Sequence, residues 1–239
     1  MIKEKLNKFG LHIHGNTIGE VWLNLNKAIL KEGEMLPDEK RKRLAVQNII
    51  IKSESQIFPD EIINKYANRD FLHQLIEMHL SKEEMHDFDI VPSFSDGPKS
   101  YYKRIKEGKM IQYIVSRLSE IPESKKAIMI FPTWEDYQNI LDNPYNDYLP
   151  CTISIQFRMI EKENNWDMHT IWYARSLDAY QKSHGNMSSI VLIGQQIKEK
   201  LNKKLNKKVK LASLTGFITD AHIYNECKNE ITKIIKNYE

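Results

Sequence analysis

The sequence predicts an α+β fold, a mixed β-sheet flanked by helices, on three observations. Helical and strand periodicities are interleaved without the regular strand–helix–strand rhythm of a doubly wound sheet. The clearest strand, Thr152 to Met159, alternates apolar Ile153, Ile155, Phe157 and Met159 with polar Thr152, Ser154, Gln156 and Arg158, so it buries one face and offers the other. Finally, 239 residues that are 41% hydrophobic and 28% charged are enough to bury one large core, and the chain reads as a single domain over 1–239.

The elements follow in order. Thr17-Ile18-Gly19-Glu20 has capping-box spacing and opens an amphipathic helix on Ile18, Val21, Trp22, Leu25, Ala28 and Ile29 that closes before Gly33. The charged stretch Asp38–Arg43 leads into a strand over Ala45–Ile51. After Pro59, the residues Phe71, Leu72, Leu75, Ile76 and Met78 recur with helical period. His86 to Gly108, with Pro92, Gly97 and Pro98, reads as a long loop of the kind that carries function, and Met110 to Leu118 resumes a helical pattern. Ala127–Phe131 is a short apolar strand ended by Pro132. Asn186–Leu205 is helical, and Val209–Ser213 and Phe217–Tyr224 read as two closing strands.

Charge and composition exclude several classes. A net charge of +3, from 35 basic and 32 acidic residues, marks neither a nucleic-acid nor a membrane binder, so nucleic acid is an unlikely partner. There is no apolar run long enough to span a bilayer, and Cys151 and Cys227 fall short of a disulfide framework, so a reduced, cytoplasmic setting is expected. Lys198–Lys210 holds seven lysines and one glutamate, but in so lysine-rich a chain, with Leu201 and Leu205 interleaved, a solvated helix face is the better reading. His12 and His14 lack an accompanying cysteine or carboxylate cluster, so no metal is expected.

Chemistry concentrates around Cys151. The thiol follows Leu149-Pro150 at the entry to the alternating strand, although a lone cysteine is more often a small buried hydrophobe. Arg175-Ser176-x-Asp178 suits a phosphate dianion, and a guanidinium near the thiol favours its thiolate. Leu149-Pro150-Cys151-x-x-x-x-Gln156-Phe157, Arg175-Ser176-x-Asp178, Asn186 and Asp220-x-His222-x-Tyr224 occur in the order used by thymidylate synthases, which this chain resembles over those residues. Pro122-Glu123-Ser124-Lys125-Lys126 is similar to the family's Asp-Ser-Arg-Arg segment, and Tyr101-Tyr102-Lys103-Arg104 to its tyrosine-containing loop. Phe71-Leu72-His73-Gln74-Leu75 resembles the helix that carries an active-site glutamate.

The resemblance implies a mechanism. Addition of the Cys151 thiolate to C6 of a pyrimidine nucleoside monophosphate makes C5 nucleophilic, C5 attacks a one-carbon donor, and a proton then leaves C5 to Tyr101 or a bound water. It further implies 5,10-methylenetetrahydrofolate as donor, with Asp178 near the pterin, and a homodimer paired through its sheet face. Arg41 or Arg43, with Arg175 and Ser176, would bind phosphate, joined by Lys125 and Lys126 from the other subunit, and His222 and Tyr224 would bind the sugar. Gln156 falls within the substrate motif, and Trp134 could stack on a pterin or base. Asn186 favours uracil, because a side-chain amide both accepts from N3–H and donates to O4.

Three departures bear on activity. Thr152 replaces the family's histidine after the cysteine, and Gln74 stands where a glutamate is expected, with Glu77 one turn along as a substitute. About 15 residues follow Tyr224, against several dozen in the family, which favours hydroxymethylation, or a different donor, over a methyl product. The alternatives are a CMP or dCMP 5-hydroxymethylase, and a non-catalytic nucleotide- or RNA-binding protein on the same fold.

Overall fold

The computed structural model describes residues 10–38, 41–88, 96–143 and 148–239. Its strands are β1 (His12–Gly15), β2 (Glu34–Asp38), β3 (Arg41–Ser53), β4 (Ile128–Ile130), β5 (Thr152–Glu161), β6 (Asn165–Ala174), β7 (Leu177–Asp178) and β8 (Lys208–Tyr224). They form one mixed sheet in the order β1-β3-β8-β6-β5-β4, with β2 on β3 and β7 on β8. The helices are α1 (Ile18–Glu32), α2 (Glu61–Tyr66), α3 (Arg69–Leu80), α4 (Tyr101–Glu107), α5 (Met110–Glu120), α6 (Trp134–Asp142), α7 (Ser183–Asn202) and α8 (Lys228–Tyr238). The α+β expectation therefore holds.

The pairing register sorts the sheet into two faces. Met129, Ile155, Trp172, Gly216, Ile51 and Ile13 lie in one row across six strands, and every side chain in it is buried. The neighbouring row runs Ile130, Ser154, Tyr173, Phe217, Ile50, and three of its large apolar side chains are exposed. Period-two alternation thus puts the core on one face only. Gly216 leaves room in the buried row, since a Cβ there would lie 2.7 Å from Ile51 Cγ1.

The central helix α7 packs on that buried face with α1, α3 and α5 around it. It is buried along most of its length, polar residues included. Ser183, Ser188 and Ser189 remain tolerable there because each hydroxyl donates to the carbonyl four residues back. Against α3, Gly185 sets the spacing: a Cβ at that position would fall 2.4 Å from Leu75 Cδ1.

Several sequence expectations are corrected. The expected long loop over 86–108 contains α4, which Ser100 caps by accepting from Lys103 N. Of that segment, residues 89–95, with Pro92, lie outside the described residues. The two closing strands are one continuous strand, β8, long enough to pair with β3 on one side and β6 and β7 on the other. A bulge at the start of β5 breaks the strict alternation, so Thr152 is buried and Ile153 only partly so.

Candidate functional site

Cys151 is half-buried immediately before β5. Its carbonyl accepts from Arg175 N at 2.9 Å, which fixes the strand entry against the end of β6. The Arg175 guanidinium closes the same junction, donating from Nη2 to Leu149 O at 2.6 Å and from Nε to Pro150 O at 3.2 Å. The arginine and the cysteine, 24 positions apart in sequence, thus share one corner.

Tyr101, the first residue of α4, reaches the corner from the other side. Its hydroxyl accepts from Thr152 N at 3.1 Å. Burial, and then the neighbouring Cys151, raise its pKa above the usual phenol value. The ring stacks on His79 of α3 at 4.4 Å and meets Phe131 edge-on. His79 is itself buried; a carbonyl can only accept, so its Nδ1 carries the proton and donates to Leu75 O at 2.8 Å. Burial brings its pKa down to about 4, and the ring is neutral at pH 7.

The helix bearing Tyr101 is anchored by Arg104. Its Nη1 and Nη2 donate to the two carboxylate oxygens of Asp136 at 2.8 and 2.6 Å, Nη1 also to Phe131 O, and Nε to Lys99 O. Asp136 in turn closes the capping box of α6 with Thr133. Burial alone would raise the Asp136 pKa, but Arg104 and the Thr133 N–H more than offset this and hold it below the usual carboxylate value.

Thr152 takes its place through the bulge. Its Oγ1 accepts from Trp172 Nε1 at 3.1 Å within the core. The hydroxyl is therefore spent on structure, whereas its backbone N–H serves Tyr101.

The nucleotide-side candidates lie along β7 and β8. Asp178 pairs with His222, which pairs with Ala45, so the strand register carries this cluster across three strands. The buried Asp178 carboxylate accepts from Tyr180 N, Gln181 N and Gln181 Nε2 at 2.7–3.1 Å. His222 Nδ1 donates to Asp220 at 3.0 Å and its ring sits edge-on to Tyr224. Arg43 donates to the same Asp220 oxygen, and the Arg41 guanidinium lies 3.7 Å over the Tyr224 ring. Arg43 is thus already paired within its own cluster. Ser176 is half-buried in the bend between β6 and β7.

Asn186 is buried in the first turn of α7, and its side-chain amide has no partner among the described residues. Leu75, packed at Gly185, brings α3 and its half-buried Gln74 against this turn. Glu77 is engaged elsewhere, by Lys82 at 2.8 Å and His73 at 3.6 Å. Gln156, Lys125 and Lys126 belong to another region. The Gln156 amide donates to Lys125 O at 2.8 Å, and both lysines are exposed beside β4, at the edge of the open sheet face. Trp134 is 74% exposed at the start of α6.

Three residues next to Cys151 and Tyr101 escaped sequence reasoning. His79 looks like an ordinary helical residue until packing brings it to Tyr101, and Arg104 like a loop residue until Asp136 is brought to it. Tyr148 has a buried hydroxyl whose pKa is pushed well up by burial and then by Tyr101 and Cys151. Its place just before Leu149-Pro150-Cys151 was a usable signal.

Among the described residues no group of three or more His, Cys, Asp or Glu is placed to hold a metal ion, and His14 pairs with Glu54. No helix there is long and apolar enough to cross a membrane. The family model described as thymidylate synthase matches residues 92–239, more than half of the chain and all of the Cys151 corner. Arg43, Gln74 and His79 precede the matched stretch. No curated protein matches.

Proposed function

This chain belongs to the thymidylate synthase family, whose chemistry is one-carbon transfer to C5 of a pyrimidine, and we propose that it acts on a uridine-type monophosphate, UMP or dUMP, through a covalent bond from Cys151 to C6. The observation that carries this reading is the Cys151 corner. A half-buried thiol lies between an arginine clamped on the preceding two carbonyls and a buried tyrosine held on the following N–H.

The steps follow from these residues. The Cys151 thiolate forms the S–C6 bond while the electron pair of the C5–C6 double bond moves toward O4, where the unpartnered Asn186 amide can donate. The same amide accepts from N3–H, which selects uracil. C5 then bonds to the incoming carbon. Its proton leaves to a water held by Tyr101, which stays a neutral phenol because burial raises its pKa. Expulsion of the Cys151 sulfur restores the double bond. With Glu77 tied to Lys82, Gln74 serves as a hydrogen-bonding side chain rather than a proton relay.

Methylenetetrahydrofolate, when bound, would supply the carbon as an electrophile and leave as tetrahydrofolate where water adds to that carbon to give hydroxymethyl, or as dihydrofolate where it also gives a hydride to make methyl. A pterin N–H requires a buried acceptor, and Asp178 fits, since its Oδ2 accepts from a single donor among the described residues, the Gln181 amide. The exposed ring of Trp134 is open to stacking. Arg175 and Ser176 meet the phosphate, and His222 and Tyr224 the sugar.

A homodimer through the open sheet face completes the proposal. Ile130, Tyr173 and Phe217 are exposed and lie in one register row on that face, interrupted by Ser154. Lys125 and Lys126 at its edge are placed to reach a partner's phosphate, and residues 1–239 act as one domain.

The test is release of tritium from C5-labelled UMP, dUMP, CMP and dCMP, with and without methylenetetrahydrofolate, in the parent and in Cys151→Ala. Cys151-dependent release, greatest with a uracil nucleotide, is the expected result, and chromatography of the product separates methyl from hydroxymethyl. Absence of release from all four, with nucleotide binding intact in both proteins, would overturn the enzymatic reading.

A further inference from the structure

Away from the Cys151 corner, α4, α5 and the C-terminal part of α7 enclose a groove of about 830 Å³. Its rim carries Lys106, Lys109, Lys200, Lys203 and Lys204, and no aspartate or glutamate lines it. Some lysines elsewhere on this protein are neutralised: Lys27, Lys31, Lys52, Lys82, Lys99 and Lys207 each have a carboxylate within 3.2 Å. Of the five in the groove only Lys106 does, on Glu83. The other four have no ion pair among the described residues.

Lysine-rich composition explains many lysines, but not their convergence, from the end of α4, the α4–α5 junction and the C-terminal end of α7, on a concave surface that no carboxylate lines. Nor does the negative end of the α7 dipole explain them, because one or two cations in the last turn satisfy it. The floor is apolar, formed by Ile105, Val115 and Ile193. A cationic rim over an apolar floor matches a ligand with several negative charges at one end and a flat ring at the other. The volume lies within the range of small-molecule sites, which run about 300–1,000 Å³.

We propose that this groove is a second ligand site, for a nucleoside triphosphate, with the polyphosphate on Lys109, Lys200, Lys203 and Lys204 and the base on the apolar floor. It is distinct from the monophosphate site at Cys151. A monophosphate there is met by Arg175, whereas four unpaired lysines suit a charge of three or four. A bound ligand also touches the helix that starts with Tyr101, and the groove wall includes His79, on which Tyr101 stacks.

The experiment is equilibrium binding of a fluorescent N-methylanthraniloyl nucleoside triphosphate to the full chain, at several salt concentrations. Competition with ATP, inorganic tripolyphosphate and UMP identifies which part of the ligand is read. Displacement by ATP and tripolyphosphate but not by UMP, with affinity falling as salt rises, is expected. Lys200→Gln/Lys204→Gln should weaken binding at least tenfold. So should Ser116→Glu, which places a carboxylate in the groove at an exposed position. Arg175→Ala should bind the triphosphate as the parent does while losing UMP, so failure here and failure of the C5-transfer reading give different results. The proposal is overturned by any of three outcomes: no binding of the fluorescent nucleotide at millimolar protein-accessible concentrations, binding unchanged in both groove variants, or binding that UMP displaces and Arg175→Ala abolishes. Binding of single-stranded RNA without binding of the triphosphate would overturn it as well.

Discussion

Asp136→Ala is expected to destabilise the protein by about 3–5 kcal/mol, the cost of leaving a buried guanidinium without its carboxylate. Arg104 and Asp136 have side chains 3% and 9% exposed, joined by two hydrogen bonds of 2.6 and 2.8 Å. Solvent therefore cannot replace the lost partner. For a chain of this length, about 2–4 °C of Tm accompanies each kcal/mol, so a fall of roughly 6–20 °C is expected. Arg104→Met/Asp136→Leu should recover most of that loss, because an apolar pair of similar volume avoids desolvating two charges. Tritium release should slow in the single variant, since Arg104 lies one turn beyond Tyr101 on α4 and fixes that helix to α6. The pair also predicts a pH window: Asp136 is held below its ordinary value, so its contribution is complete above the ordinary carboxylate pKa and is lost as pH falls through the lower folded one. Thermal and urea unfolding at one fixed protein concentration measure all of this, a fixed concentration being needed for any dimer. A single variant that melts within about 2 °C of the parent, a loss below ~1 kcal/mol, would refute the argument. So would a double variant no more stable than the single.

Other expectations follow from the same packing. His79 and His184 are buried neutral, each with its pKa lowered to about 4, so the unfolded chain binds more protons once pH drops below about 6.5. Each should cost about 1.4 kcal/mol per pH unit between there and pH 4, and urea titrations of His184→Gln should show a shallower loss than the parent. Gly185→Val should cost about 1–3 kcal/mol by forcing Leu75 and α3 away, with uracil nucleotide affinity falling in parallel by calorimetry. Tyr101→Phe removes the acceptor of Thr152 N and should cost about 1–3 kcal/mol in thermal unfolding. Its tritium release should fall more than its nucleotide binding; equal losses of both would argue against a role in proton removal.

The parts of the fold that were legible in the sequence are those in which one period dominates a window. The first helix has both a capping box and a clean apolar stripe, and it runs from Ile18 to Glu32 as its residues indicate. The sheet strands with strong alternation were found, but β6 was not, because Trp166, Met168, Thr170 and Trp172 mix a hydroxyl into the buried face. That hydroxyl is satisfied by Gln56, 114 positions away, which no local pattern announces. Helix α4 was hidden for a related reason: its buried arginine looks like surface until Asp136 is brought to it.

The candidate site shows the same division. Cys151, Arg175, Asp178 and Asn186 were legible because each sits in a motif of fixed spacing, and the chain brings Arg175 back to Cys151 through the β5–β6 hairpin. Thr152 was legible only as a departure. The structure gives that departure a physical content, because the bulge turns the Thr152 side chain inward to Trp172 and leaves its N–H to hold Tyr101. A histidine there would not fit the same contact without moving Trp172, which occupies the centre of the buried row and is fully enclosed. The substitution and the tryptophan therefore belong together, and in the proposed mechanism the proton side at Cys151 runs through Tyr101 rather than through residue 152.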